Sequence, residues 1–151
     1  MPVEFKDNSL KVKAALNEKT IAWLHEAAGE IESQTKNNTR VDTGHLKNSW
    51  SNKVDEFNGT ATVGSPLENA VWEEFGTGEY ALHGDGRKGG WYIPEEKLNA
   101  KAKSKMKKVI RKDGKVYYYT KGKRPSRALN NAFTSSKDKL KARLEQILKG
   151  M

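Results

Sequence analysis

Apolar residues recur at helical spacing in four stretches of this chain and at strand-like spacing in two hairpins. From Ser9 to Lys36, Leu16, Leu24, Ala27, Ala28 and Ile31 fall on one stripe, widened by Ala14, Ala15, Ile21 and Trp23. No proline interrupts the span, so one long helix is predicted, with Ser9 as its N-cap. At 1.5 Å per residue it would run about 42 Å, long enough to serve as a spine along a sheet. Val41-Asp42-Thr43-Gly44 follows, and Asp42 or Thr43 is placed to cap a short helix through Trp50, with Leu46 and Trp50 four apart. Residues 51–57 and 60–64 flank Asn58-Gly59, a pair suited to a tight hairpin turn, with Val54, Phe57, Ala61 and Val63 as apolar positions. After Pro66, residues 67–75 carry Leu67, Val71 and Phe75 four apart, and Gly76-Thr77-Gly78 ends that helix. Residues 77–92 are glycine-rich, without periodicity, and are expected as a loop.

A second hairpin is predicted at 106–110 and 116–120, turning at Asp113-Gly114. Ser126 then caps a last helix ending near Lys149-Gly150, with Leu129, Phe133, Leu140, Leu144, Ile147 and Leu148 as its stripe. The order of elements predicts an α+β fold: one antiparallel sheet of about four strands from two hairpins, packed by a long N-terminal helix and a C-terminal helix. The expected organisation is a single domain over 1–151, with long loops at 77–105 and 121–126.

Composition changes this picture in two ways. Only 35% of the 151 residues are hydrophobic and 31% are charged, which predicts a small core completed by neighbouring subunits. Cysteine is absent, which excludes a disulfide framework, a thiolate zinc site and a cysteine nucleophile. No apolar run approaches the ~20 residues of a membrane span and no signal-peptide pattern opens the sequence, so a soluble protein with no membrane partner is expected. The net charge of +9 is unevenly spread. Residues 1–100 hold 11 Lys and Arg against 16 Asp and Glu, a net of −5, whereas residues 101–127 hold 12 against 1, a net of +11. Such a run is a solvated face, a contact for an acidic protein surface, or a contact for a phosphate backbone.

Candidate chemistry is sparse. Asp42-Thr43-Gly44 spells the aspartic-protease triplet, but that chemistry needs a turn between apolar strands that brings two aspartates about 3 Å apart. Polar residues precede it and a helical pattern follows, so it reads as a helix cap. Gly84-Asp85-Gly86-Arg87-Lys88-Gly89 fits G-x-G-x-x-G, yet it lacks the strand before and the helix after that would present a pyrophosphate site. His25, His45 and His83 show no metal-ligand spacing, and adjacent Glu73 and Glu74 point to different helix faces. No catalytic residue, metal or cofactor is therefore expected, and the chain is not expected to be an enzyme. Tyr117, Tyr118 and Tyr119 amid the lysines offer stacking for single-stranded nucleic acid, although strand alternation should send at least one into the core.

Several segments together resemble one family. They are Val41-Asp42-Thr43-Gly44-His45-Leu46-Lys47-Asn48-Ser49 after a long amphipathic helix, Ala70-Val71-Trp72-Glu73-Glu74-Phe75-Gly76-Thr77-Gly78, the Arg87-Lys88-Gly89-Gly90-Trp91 loop, and the stretch from Lys121 through Pro125 to Phe133. In that order they resemble the head–tail joining or tail-completion family of tailed bacteriophages, typified by gene product ten of a lambdoid phage. The resemblance implies a virion protein of the neck that works by assembly, made in the host cytoplasm. It implies a homo-oligomeric ring, six-fold by expectation, that meets the head-closure or connector protein and the tail terminator or tail tube protein, with DNA passing through unread. The expected assembly interface comprises Glu73 and Glu74, Arg87, Lys88 and Trp91, Lys107, Lys108 and Arg111, and Lys123, Arg124 and Arg127. Structural roles are expected for Asp42, Thr43 and Gly44, for Phe75, Gly76, Thr77 and Gly78, and for Pro125. The alternative is a standalone basic nucleic-acid-binding protein that uses residues 101–127.

Overall fold

A computed structural model describes residues 9–150. In chain order the elements are α1 (Ser9–Asn38), α2 (His45–Ser49), β1 (Ser51–Asp55), β2 (Thr60–Gly64), α3 (Glu68–Phe75), β3 (Trp91–Pro94), α4 (Ala100–Lys103), β4 (Lys107–Ile110), β5 (Val116–Thr120) and α5 (Ala128–Lys149). Single 3-10 turns stand at Gly78–Tyr80 and Glu95–Lys97. The class is α+β, as the periodicity predicts. The strands, however, form two antiparallel sheets, β1-β2 and β3-β5-β4, where one sheet of about four strands was expected. The added strand is β3, inside the segment read as loop 77–105. Two compact units result: the described residues up to Leu67 together with those from Ala128 onward, and Glu68–Arg127.

In the first unit α1 packs on α5 and carries the β1-β2 hairpin. The buried face of α5 is Ala128, Ala132, Ser136 and Leu140, four residues apart, against a face of α1 that buries Ala27, Ala28 and Thr35. Apart from Leu140 these are small side chains. They allow close approach of the two backbones and leave Phe133 and Leu148 of the expected stripe 53% and 43% exposed. The start of the stripe is thus turned by one residue, from Leu129 and Phe133 to Ala128 and Ala132, whereas Leu140 is buried as expected. Trp23 Nε1 donates to the Leu140 carbonyl at 2.9 Å, which ties the two helices together.

Two expectations about helix and turn ends are corrected here, and a third lies outside the described residues. Ser9 is the first residue of α1, so its cap position falls outside the described residues. Gly44, at φ 84, takes the N-cap position of α2, and neither Asp42 nor Thr43 caps it, though Thr43 Oγ1 accepts from the His45 N–H at 3.3 Å. The first hairpin turns through four residues, 56–59, with Gly59 alone at positive φ and the Asn58 N–H donating to Asp55 Oδ1. Phe57 sits on that turn, 97% exposed, and supplies nothing to the core.

Register places Asn52, Val54, Ala61 and Val63 on one face of the hairpin. Asn52 Nδ2 donates to Glu32 Oε2 on α1, and Lys36 Nζ donates to Glu32 Oε1 at 2.6 Å. The Lys36 and Asn52 hydrogen bonds hold the Glu32 carboxyl below its ordinary 4.5. A carboxylate lowered by folding adds stability above its unfolded pKa and loses it as pH falls through the folded value. Glu32→Gln should therefore lower the melting temperature at neutral pH, with the gap to the parent closing as pH drops below about 4.5. A gap that stays constant down to strong acid would contradict this.

Candidate functional site

The second unit brings the two glycine-containing segments together. Helix α3 begins with Glu68, which suits the positive end of the helix, and ends at Gly76, whose φ of 75 lets the chain turn away. The outgoing residues pair with the stretch before Pro125. The Thr77 N–H donates to the Lys123 carbonyl at 2.9 Å, the Lys123 N–H returns to Thr77 Oγ1 at 2.9 Å, and the Glu79 N–H donates to the Lys121 carbonyl at 2.8 Å. Gly78 and Gly122 meet at the centre of this pairing, both at positive φ. A Cβ on Gly78 would lie 2.9 Å from the Gly122 Cα and 2.8 Å from the Trp91 ring, and one on Gly76 would lie 2.8 Å from Pro125 Cδ. Gly76, Thr77, Gly78 and Pro125 are thus one structural knot. Phe75 stays 39% exposed beside His83, with ring centroids 5.4 Å apart.

The same pairing settles much of the charge. Lys123 Nζ is paired with Glu73, Lys121 Nζ lies 3.6 Å from Glu79 Oε2, and Arg127 Nε lies 3.8 Å from the buried carboxylate of Glu74. Arg127 adopts φ 56, unusual for a residue with a Cβ. The guanidinium of Arg124 sits 4.7 Å over the Tyr80 ring. Ser126 was expected to cap the last helix. Instead its Oγ and N–H both donate to the Glu73 carbonyl, at 3.0 and 2.7 Å. Glu73, Glu74, Lys123 and Arg127 therefore come together as partners within one chain.

The glycine-rich stretch holds no phosphate cradle. Gly86 approaches the Gly78 carbonyl so closely that any side chain would collide, and the chain runs on into strand β3, not into a helix. Its tip is tied down: the Gly89 N–H donates to Glu79 Oε1 at 3.3 Å, and Tyr119 Oη donates to the Gly89 carbonyl at 3.1 Å. Arg87 lies 5.5 Å over the Trp91 ring, and Lys88 is exposed. In the first unit, Asp42 and Thr43 are exposed on a bend that leads into α2, not on a turn between apolar strands.

Sheet β3-β5-β4 separates the tyrosines. Tyr118, paired with Ile93 and Lys108, is buried on one face. Tyr117 and Tyr119 share the other with Tyr92, Lys107 and Val109. Tyr92 and Tyr119 pack with centroids 5.2 Å apart, and the Arg111 guanidinium lies 4.3 Å over Tyr117 and 5.5 Å over Tyr92. The ring faces are thus engaged by one another and by Arg111. Sequence reasoning missed β3, and with it the Tyr92–Arg111 stack. It also passed over Lys105, Lys112 and Lys115, which extend the exposed cationic surface around Lys107 and Lys108. The signal available was the run of six basic residues in 105–115 with Asp113 as its one acid.

Among the described residues no cluster of three His, Asp or Glu side chains is placed to hold a metal ion, and no helix is long and apolar enough to cross a membrane. A family model described as "Bacteriophage HK97-gp10, putative tail-component" matches residues 4–76, which include the Val41–Ser49 stretch and end at the glycine that closes α3. No curated protein and no solved structure matches the chain. Over residues 4–76 the chain is therefore similar to the HK97-gp10-like family of putative bacteriophage tail components, a match consistent with a structural role in a phage particle.

Proposed function

We propose that this protein is a subunit of the phage neck, which joins the head connector to the tail and completes the tail by assembling as a ring, without catalysis. The family match carries the reading, since it names a putative tail component over a part of the chain that contains Val41–Ser49 and the start of Ala70–Gly78. An exposed apolar surface supports it. Val71, Trp72 and Phe75 on α3 are 56%, 49% and 39% exposed, and Leu82, whose N–H donates to the Phe75 carbonyl, is 45% exposed. Apolar residues grouped in this way suit a subunit contact repeated around a closed ring, six-fold on this reading. The partners are further copies of this chain, the head-closure or connector protein on one side and the tail terminator or tail tube protein on the other. The genome passes through the ring without being read. The subunit reaches the virion from the host cytoplasm during assembly.

Disruption of the gene in its phage, followed by electron microscopy of the lysate, tests this reading. DNA-filled heads and separate tails that fail to join are expected, and the purified protein should give closed rings in native mass spectrometry. Infectious, intact particles from the disrupted phage would overturn it.

A further inference from the structure

The cations of residues 101–127 divide by their partners. Lys121, Lys123 and Arg127 face Glu79, Glu73 and Glu74, Lys103 lies 3.6 Å from Glu95, and Arg124 rests on Tyr80. Lys105, Lys107, Lys108, Lys112 and Lys115 are all exposed and form no ion pair among the described residues. They lie on β4, its approach and the turn into β5. The carboxylate of that turn, Asp113, accepts from the Lys115 N–H. Arg111 stands among them with its guanidinium over the rings of Tyr117 and Tyr92.

We infer that the β4-β5 hairpin binds the phosphate backbone of duplex DNA. Three observations select this occupant. Tyr92, Tyr117 and Tyr119 already pack against one another or against Arg111, and Tyr118 is buried, so stacking on unpaired bases would compete with contacts inside the chain. The uncompensated charges are mostly lysines, which are depleted at protein–protein contacts but act as point charges on phosphates. They recur along the edge strand β4, its approach and the turn into β5, which matches a partner of uniform, high charge density; duplex DNA carries one charge per ~1.7 Å. Fixed on its two rings, the Arg111 guanidinium loses little further freedom when it meets a phosphate. The inference adds a DNA contact to the neck reading without depending on it.

Fluorescence anisotropy with the purified chain and a labelled mixed-sequence duplex tests it. With about four phosphates engaged, affinity should fall roughly 100-fold between ~50 and ~200 mM salt. Lys107→Glu, Lys112→Glu and Lys115→Glu together should abolish binding, whereas Lys137→Glu, Lys141→Glu and Lys149→Glu on α5, an equal change in net charge, should leave most of it. Arg111→Ala should lower the salt slope by about 1. Circular dichroism checks the fold of each variant, and Lys→Gln changes at the hairpin positions repeat the test should the reversals unfold it. Equal losses in the hairpin and α5 sets would overturn the proposal, as would tighter binding of oligo-dT than of duplex. Polyglutamate binding as tightly as duplex at the same salt would also overturn it and assign the hairpin to an acidic protein. A DNA-binding failure with ring assembly intact would sink this inference alone.

Discussion

Replacing Gly78 by valine should destabilise the Glu68–Arg127 unit by roughly 3–5 kcal/mol, from a left-handed-backbone penalty and overpacking together. Gly78 holds φ 62, and its missing Cβ points at the Lys121 carbonyl, at Trp91 Cζ3 2.8 Å away and at the Gly122 Cα 2.9 Å away. Two of these three neighbours are backbone, which cannot rotate aside. Relief would require parting the segments that pair Thr77 and Glu79 with Lys123 and Lys121. Since domains are stable by only about 5–15 kcal/mol, the loss is a large share of the total. Gly84→Val is the control: φ is 71 there too, but nothing lies within 4 Å of the position a Cβ would take, so only the backbone penalty applies. Denaturant titration and amide exchange at Thr77, Glu79 and Lys123 read the difference. Equal effects of the two valines would mean that the close approach of Gly78 and Gly122 does not hold the unit together.

That contact marks the boundary of what the residues disclose on their own. Helix α1, the hairpin of β4 and β5 and the short helix α3 are legible because their signals are local: apolar spacing, a turn dipeptide, a terminal glycine. Strand β3 is not, because Trp91-Tyr92-Ile93-Pro94 is only four residues long, follows a glycine-rich stretch and ends in proline. Proline is tolerated there because β3 is an edge strand, with β5 between it and β4. The buried stripe of α5 is misread for a different reason. Ala128, Ala132 and Ser136 carry little hydrophobic weight, yet close helix contact selects them for size.

The site is legible in its residue types and not in its pairings. Glu73 and Lys123 stand 50 positions apart, and nothing local says that they meet within one chain. Taken as charge totals, the acidic helix and the basic segment suggest contacts between subunits. Taken with their geometry, part of the basic segment is neutralised at home, and the lysines left over concentrate on one hairpin.

Trp50→Ala should cost the first unit about 3–5 kcal/mol, the usual loss for truncating a buried aromatic residue. Trp50 links α2 to β1 and is 4% exposed, while its indole N–H donates to Thr39 Oγ1 at 2.9 Å. The Thr39 hydroxyl donates in turn to the Thr35 carbonyl at 2.6 Å, and Thr35, fully buried, donates to the Ile31 carbonyl at 2.7 Å. Hydroxyls inside a helix usually compete with its backbone. Here they carry a hydrogen-bond chain from α1 to the tryptophan, so burial leaves no polar group of the chain unmet. Trp50→Phe separates the two contributions: it keeps most of the apolar bulk and removes the donor, and should cost about 1–2 kcal/mol. Thr39→Val should cost a similar amount, and combining it with Trp50→Phe should cost less than the sum, because both remove the same hydrogen bond. Thermal melts of the three variants and slow exchange of one indole proton in the parent measure this directly. Additive losses in the double variant would show that Trp50 is held by packing alone, with the threonine chain an independent feature of α1.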